Sequence, residues 1–221
     1  MVMTNELELR QEICRVGRSL FERGYAHATA GNISARLADG FLITPSDACL
    51  GFLKPKQLAR VGSDGVQQSG GRASKTLELH RAIYAADESA MCVIHTHSTH
   101  LVALTLSGVW THDDILPPIT PYYVMKVGHV PLIEYHRPGD PAVGVLVASA
   151  IERMRARKTP IRAVMLDRLG PNVWHESPAA AMAALEELEE TARLWLTCNP
   201  KPEPLSEAQM DALRRQFGAH W

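Results

Sequence analysis

The fold is read from Ile33-Ser34-Ala35-Arg36-Leu37-Ala38-Asp39-Gly40-Phe41-Leu42-Ile43-Thr44. Ile33, Ala35 and Leu37 alternate with Ser34 and Arg36, the period of a strand with one buried face. Asp39-Gly40 is a turn pair, and Phe41–Thr44 returns as the partner strand of a hairpin. Thr44-Pro45-Ser46 ends that strand. Upstream, Gly31-Asn32 offers small side chains and free backbone N–H groups, which suit either a plain turn or an anion-binding nest.

Further along stands Met91-Cys92-Val93-Ile94-His95-Thr96-His97-Ser98-Thr99-His100. The apolar run Met91–Ile94 is too short for a helix and predicts a buried strand. His95 and His97 follow at its carboxyl end. In an extended chain that spacing puts both imidazoles on one face, where two neutral rings suit a divalent metal. His-x-His is also a pair that recurs by chance, so context has to carry it.

Upstream of the hairpin, Leu9, Ile13, Val16, Leu20 and Phe21 mark an amphipathic helix closed by Gly24. Gly62–Gly71 reads as a polar, glycine-rich loop leading to Arg72-Ala73-Ser74-Lys75-Thr76. Ser74 is the expected cap of a helix over Thr76–Ala86, and its N-terminus with Ser74 and Lys75 makes a phosphate cradle. Leu101–Leu106 begins another helix. Pro117–Pro121 is a stiff connector, Tyr122–Gly128 a predicted strand and Val130–Tyr135 another. Asp140-Pro141 opens a helix over Ala142–Arg155. Ile161–Leu166 and Asn172–Trp174 read as strands, and Ser177-Pro178 opens a long helix, Ala179–Leu196. Its Glu186, Glu187, Glu189 and Glu190 read as a solvated face. Pro200–Pro204 links to a final helix, Ser206–Phe217. Hairpins dominate the first half, which predicts a mainly antiparallel sheet with helices on its faces.

With 221 residues, the chain fits one domain, 1–221, ending in a linker and helix at about 200–221. A formal net charge of -1 argues against nucleic acid or an anionic membrane as a main partner. The opening residues have no basic region followed by an apolar run, and no stretch nears the ~18 apolar residues of a membrane span. Cys14, Cys49, Cys92 and Cys198 are far apart and predict reduced, buried thiols in a cytoplasmic protein.

Gly31-Asn32-x-Ser34-x-Arg36, Thr44-Pro45-Ser46, Ser74-Lys75 opening a helix, and His95-x-His97, in that order, resemble the class II aldolase/adducin family. Pro117–Tyr123, Tyr135–Pro141 and Glu186–Ala192 resemble its 3-oxo-tetronate 4-phosphate decarboxylase branch most. The resemblance runs from about Leu9 to Leu196. It implies a three-layer α/β/α sandwich around a central, mainly antiparallel sheet, and a cyclic homotetramer with active sites between subunits. It also implies a divalent metal, usually Zn2+ with Mn2+ or another ion as alternatives, held by three histidines. His95 and His97 match two of the ligands. Asn32, Thr44, Ser74 and Lys75 match the phosphate pocket, with Ser46 nearby, and Tyr122 matches a proton-donating tyrosine that reaches into the site.

Two positions depart from the family. Thr76 stands where the catalytic glutamate follows the phosphate-binding pair; Glu78 comes two residues late and on a helix faces elsewhere. Leu169 stands where the third histidine belongs, in Arg168-Leu169-Gly170-Pro171. Aldol cleavage needs a base that threonine cannot supply near neutral pH. Decarboxylation of a β-keto acid needs only an electrophile and then a proton donor, roles that suit a metal on His95 and His97, and Tyr122. The implied activity is therefore decarboxylation of a phosphorylated 3-oxo sugar acid to a ketose phosphate. A class II sugar-phosphate aldolase, or an inactive binding or assembly module, are the alternatives. His80, His100, His129, His136 and His175 are the candidates for a substitute ligand, and Arg168 for a carboxylate contact.

Overall fold

The computed structural model describes residues 6–221. Its elements in chain order are α1 (Glu6–Glu22), β1 (Asn32–Leu37), β2 (Gly40–Ile43), β3 (Ala59–Gly62), β4 (Gln67–Ser69), α2 (Leu77–Ala86), β5 (Cys92–His95) and α3 (Thr99–Ser107). There follow α4 (Pro121–Lys126), β6 (Leu132–Ile133), α5 (Ala142–Ala156), β7 (Ala163–Leu166), β8 (Gly170–His175), α6 (Pro178–Thr197) and α7 (Glu207–Phe217). One eight-stranded sheet runs in the order β4-β3-β2-β1-β5-β8-β7-β6. Every pairing is antiparallel except β6 with β7.

Alternation along the strands builds the three layers. Ile33 and Ala35 of β1, Cys92 and Ile94 of β5 and Val173 of β8 bury themselves with α1, α3 and α6. Val93 and Trp174 point the other way, with Ile83 and Tyr84 of α2 and Val147, Ile151 and Met154 of α5. The mainly antiparallel α/β/α sandwich is therefore the observed architecture. At the polar edge, β4 is exposed along its whole length, as an edge strand of polar residues paired on one side only should be.

Several local expectations change. Tyr122–Gly128 is mostly helix rather than strand: Pro121 occupies the first turn of α4, and the Thr120 hydroxyl accepts from the Tyr123 N–H at 3.1 Å. That cap and proline outweigh the strand preference of Tyr-Tyr-Val. The next strand shrinks to Leu132–Ile133. The glycine-rich loop holds a hairpin, β3–β4, turning at Gly65 with φ +85°. Of the four cysteines only Cys92 is buried; the other three are half-buried, and all are free.

The acidic run of α6 is not uniformly solvated. Glu189 is 2% exposed. Its carboxylate accepts from the backbone N–H groups of His100 at 2.9 Å and Leu101 at 3.0 Å, and meets His100 Nδ1 at 2.9 Å. Ser98, at the cap position of α3, makes no capping bond of its own. Glu189 thus supplies from another helix the acceptor that the start of α3 lacks, and its charge complements the helix dipole. The cap lies just beyond His97.

Candidate active site

The sheet register sets up the site. His95, the last residue of β5, lies opposite Asn32 of β1 and Asn172 of β8. Directly paired residues share a face, so the three form a row across the sheet centre, on the side covered by α2 and α5. The backbone at the strand tip is held from both flanks. A Cβ on Gly31 (φ +88°) would come within 2.8 Å of the His95 carbonyl, and one on Gly170 (φ +137°) within 1.9 Å of the Thr96 carbonyl. Only glycine permits either approach.

The His95 Nδ1 lies 2.9 Å from the Pro171 carbonyl. A carbonyl only accepts, so Nδ1 carries the proton and Nε2 keeps its lone pair, the arrangement of a metal-ligating histidine. The His97 ring centre is 5.0 Å away at 67°. Burial lowers the His95 pKa to about 4, with His97 adding and the Pro171 carbonyl opposing. His97 is lowered as well, by burial first and His27 second. Both rings are therefore neutral near pH 7, as ligands must be.

Both imidazoles line a cleft of about 660 Å³. One rim is polar. The end of β2 zips onto the segment before α2: the Ser46 N–H donates to the Arg72 carbonyl at 2.8 Å, its hydroxyl donates to the Ala73 carbonyl at 3.0 Å, and the Ser74 N–H reaches the Thr44 carbonyl at 3.3 Å. Asn32, Ser46, Ser74, Lys75 and Thr76 consequently line one wall. A second, apolar wall carries Ile133, Val143, Leu166 and Leu169, with His136 and Arg137 in the loop before α5.

Thr44 is absent from this lining. It is 1% exposed, and its hydroxyl accepts from the Ile33 N–H at 3.1 Å, fastening β2 to β1. Tyr122 is absent too: it sits on α4, 59% exposed, away from its own chain's cleft. Ser74 caps the expected start at Thr76 only loosely, its hydroxyl accepting from the Thr76 N–H at 3.4 Å. Thr76 holds the cap position without a side-chain cap, and the Ser74 hydroxyl meets Thr76 Oγ1 at 2.8 Å. Glu78 lines the cleft after all, paired with Arg81 at 3.3 Å. Asp47 and Arg72, also in the lining, carry no sequence signal beyond proximity to these motifs.

The imidazole pair suits a divalent metal, and the Asn32 Oδ1 beside it is buried with no hydrogen-bond partner. A third ligand is not assembled. Among the described residues no group of three or more His, Cys, Asp or Glu side chains is placed to hold a metal. His80 is fully buried with Nδ1 2.7 Å from Ser34 Oγ, His100 is taken by Glu189, and His129 lies 2.8 Å from Asp114. His175 meets Arg162. Of the substitute candidates only His136 faces the cleft, with Nδ1 2.8 Å from the Glu134 carbonyl. Arg168 is exposed at φ +60° and does not line it.

The family described as Class II Aldolase and Adducin N-terminal domain matches residues 11–196. The chain belongs to this family. A protein of Cupriavidus necator named 3-oxo-tetronate 4-phosphate decarboxylase is 56% identical, over 99% of this chain and 100% of its own. One of the same name from Escherichia coli K12 is 39% identical over 89% of this chain and 90% of its own. Among solved structures, YgbL from Klebsiella pneumoniae superimposes with a TM-score of 0.86 at 38% identity, covering 96% of this chain and 100% of that one. An L-fuculose 1-phosphate aldolase shares the fold, with a TM-score of 0.79 at 22% identity and 98% of each chain covered. Among the described residues no helix is long and apolar enough to cross a membrane.

Proposed function

We propose that this chain is a carbon–carbon lyase that decarboxylates a phosphorylated 3-oxo sugar acid of the 3-oxo-tetronate 4-phosphate kind, giving CO2 and a ketose phosphate. The observation that carries the reading is one cleft lined by both His95/His97 and Ser74/Lys75. The two relatives named for this activity match nearly the whole chain.

In this reading Lys75, Ser74, Ser46 and Asn32 bind and orient the phosphate end, with the N-terminus of α2 adding its dipole. Anchoring that end places the 3-oxo group toward the imidazole pair. The bond from the carboxyl carbon to C2 breaks, its electron pair forms the C2–C3 double bond, and the 3-oxo oxygen takes the negative charge. CO2 leaves, and a proton then adds at C2. His95 and His97 would hold the divalent metal, Zn2+ by the nature of the donors, which supplies electrophilic stabilisation of developing oxygen charge when bound. Proton return is assigned to Tyr122. Its exposure off its own cleft fits delivery to a neighbouring copy in a homotetramer. Thr76 stands beside the phosphate end, where its hydroxyl donates but does not serve as base. Free cysteines are in keeping with a cytoplasmic setting.

The test is CO2 release from 3-oxo-tetronate 4-phosphate by protein purified without chelator, with metal content measured on the same sample. We expect turnover that a chelator removes and added Zn2+ or Mn2+ restores. Metal-supplemented protein with no CO2 release would sink the reading.

A further inference from the structure

The departure at Leu169 acquires a use once its surroundings are known. Leu169 is half-buried and packs against the core cluster that includes Ile133, Leu166 and Val143. Those three are 7%, 7% and 8% exposed. All four line the same cleft as Ser74 and Lys75. The patch is therefore the floor of a hydrophobic core breaking through into a polar cleft. Its place relative to the imidazoles is fixed by the backbone: Gly170, next to Leu169, would put a Cβ 3.2 Å from His97 Cα. Asp167, two residues before Leu169, is a further cleft-lining residue.

We propose that Leu169, with Ile133, Leu166 and Val143, is the seat of the substrate's departing carboxylate. The inference rests on the decarboxylase reading and adds the feature that selects this reaction. A carboxylate against apolar side chains loses hydration without gaining a hydrogen-bond partner. CO2 is neutral and apolar and pays no such penalty. As the bond from the carboxyl carbon to C2 breaks, negative charge moves from the carboxylate to the 3-oxo oxygen, off the group that the apolar patch contacts. The wall thus disfavours the bound acid more than the transition state. The carboxylate of Asp167, 3.8 Å from the Arg168 guanidinium, offers that group no hydrogen-bond donor. A cation at Leu169 would do the reverse: it would tether the carboxylate and hold the charge where the reaction must remove it. In this chain the lost third imidazole is a gain for CO2 expulsion.

The test compares Leu169→Asn, which offers the carboxylate a hydrogen bond, with Leu169→Met, which keeps the wall apolar. Steady-state CO2 release is measured for each. Binding is measured by calorimetry for tetronate 4-phosphate, the 3-hydroxy analogue that cannot lose CO2, and for the ketose phosphate product. For Leu169→Asn we expect kcat to fall roughly tenfold or more while KM holds or drops. The analogue should bind several-fold tighter and the product unchanged, and Leu169→Met should stay near wild type. Equal kcat in wild type and Leu169→Asn would overturn the seat, as would weakened binding of the analogue with kcat lowered equally in both variants. A wild type that binds metal and analogue but releases no CO2 would instead overturn the decarboxylase reading beneath it.

Discussion

The two walls of the cleft are made in opposite ways. The wall of Ser46, Ser74 and Lys75 is a backbone zipper: main-chain bonds from residues 44–46 to 72–74 bring short hydroxyls together. The wall of Ile133, Leu166 and Leu169 is side-chain packing, continuous with the core under α2 and α5. His95, in the row Asn32–His95–Asn172 across the sheet, lines the same cleft. A ligand with a charged end and an end that must lose its charge fits between walls so different. In the proposed reading the first wall binds through charge and hydrogen bonds, and the second acts by withholding them.

The largest expected effect breaks both walls' shared centre. His95→Ala should abolish metal binding in a chelator-competition titration and lower CO2 release by about a thousandfold or more. Retained metal with retained turnover would separate the imidazoles from the chemistry. Next, Lys75→Ala should act on the polar wall alone. KM for the phosphorylated acid should rise about 10- to 100-fold, the effect of losing a charge-assisted hydrogen bond, with kcat much less changed. An unaltered KM would mean the phosphate lies elsewhere.

Glu189→Ala probes the support behind the strand tip. It leaves two backbone donors at the start of α3 without their acceptor, and should cost about 2 kcal/mol, read as a melting temperature lower by roughly 4–8 °C. A melting temperature within a degree of wild type would show the cap to be dispensable. The smallest effect is the sharpest on assignment. Thr44→Val removes the acceptor for the Ile33 N–H and should cost about 1–2 kcal/mol of stability while KM for the phosphorylated acid stays unchanged. A raised KM would return Thr44 to the phosphate pocket.

What sequence made legible follows these same lines. The hairpin over residues 33–44 showed itself because alternation, a turn pair and alternation again all agree. His95 and His97 were legible because an apolar run ends in them, and Ser74 and Lys75 because a helix begins after them. Tyr122–Gly128 was not, since aromatic and β-branched residues outnumbered the single Thr-Pro signal that governs α4. Thr44 matched a motif by position, but whether a threonine hydroxyl faces a ligand or a neighbouring strand depends on register, which one strand's sequence does not contain. Glu189 looked like one of four acids on a helix surface. Its acceptor role depends on a helix start 89 residues earlier in the chain, a pairing that periodicity does not record.

Gly31 and Gly170 press against the main chain at positions 95 and 96 from either flank. The strand tip that carries the imidazole pair is therefore seated against peptide groups on both sides. A lineage holding those two hydrogens in place could exchange a ligand for a leucine one residue away and keep its chemical anchor. Change of reaction, in such an architecture, needs no change of scaffold.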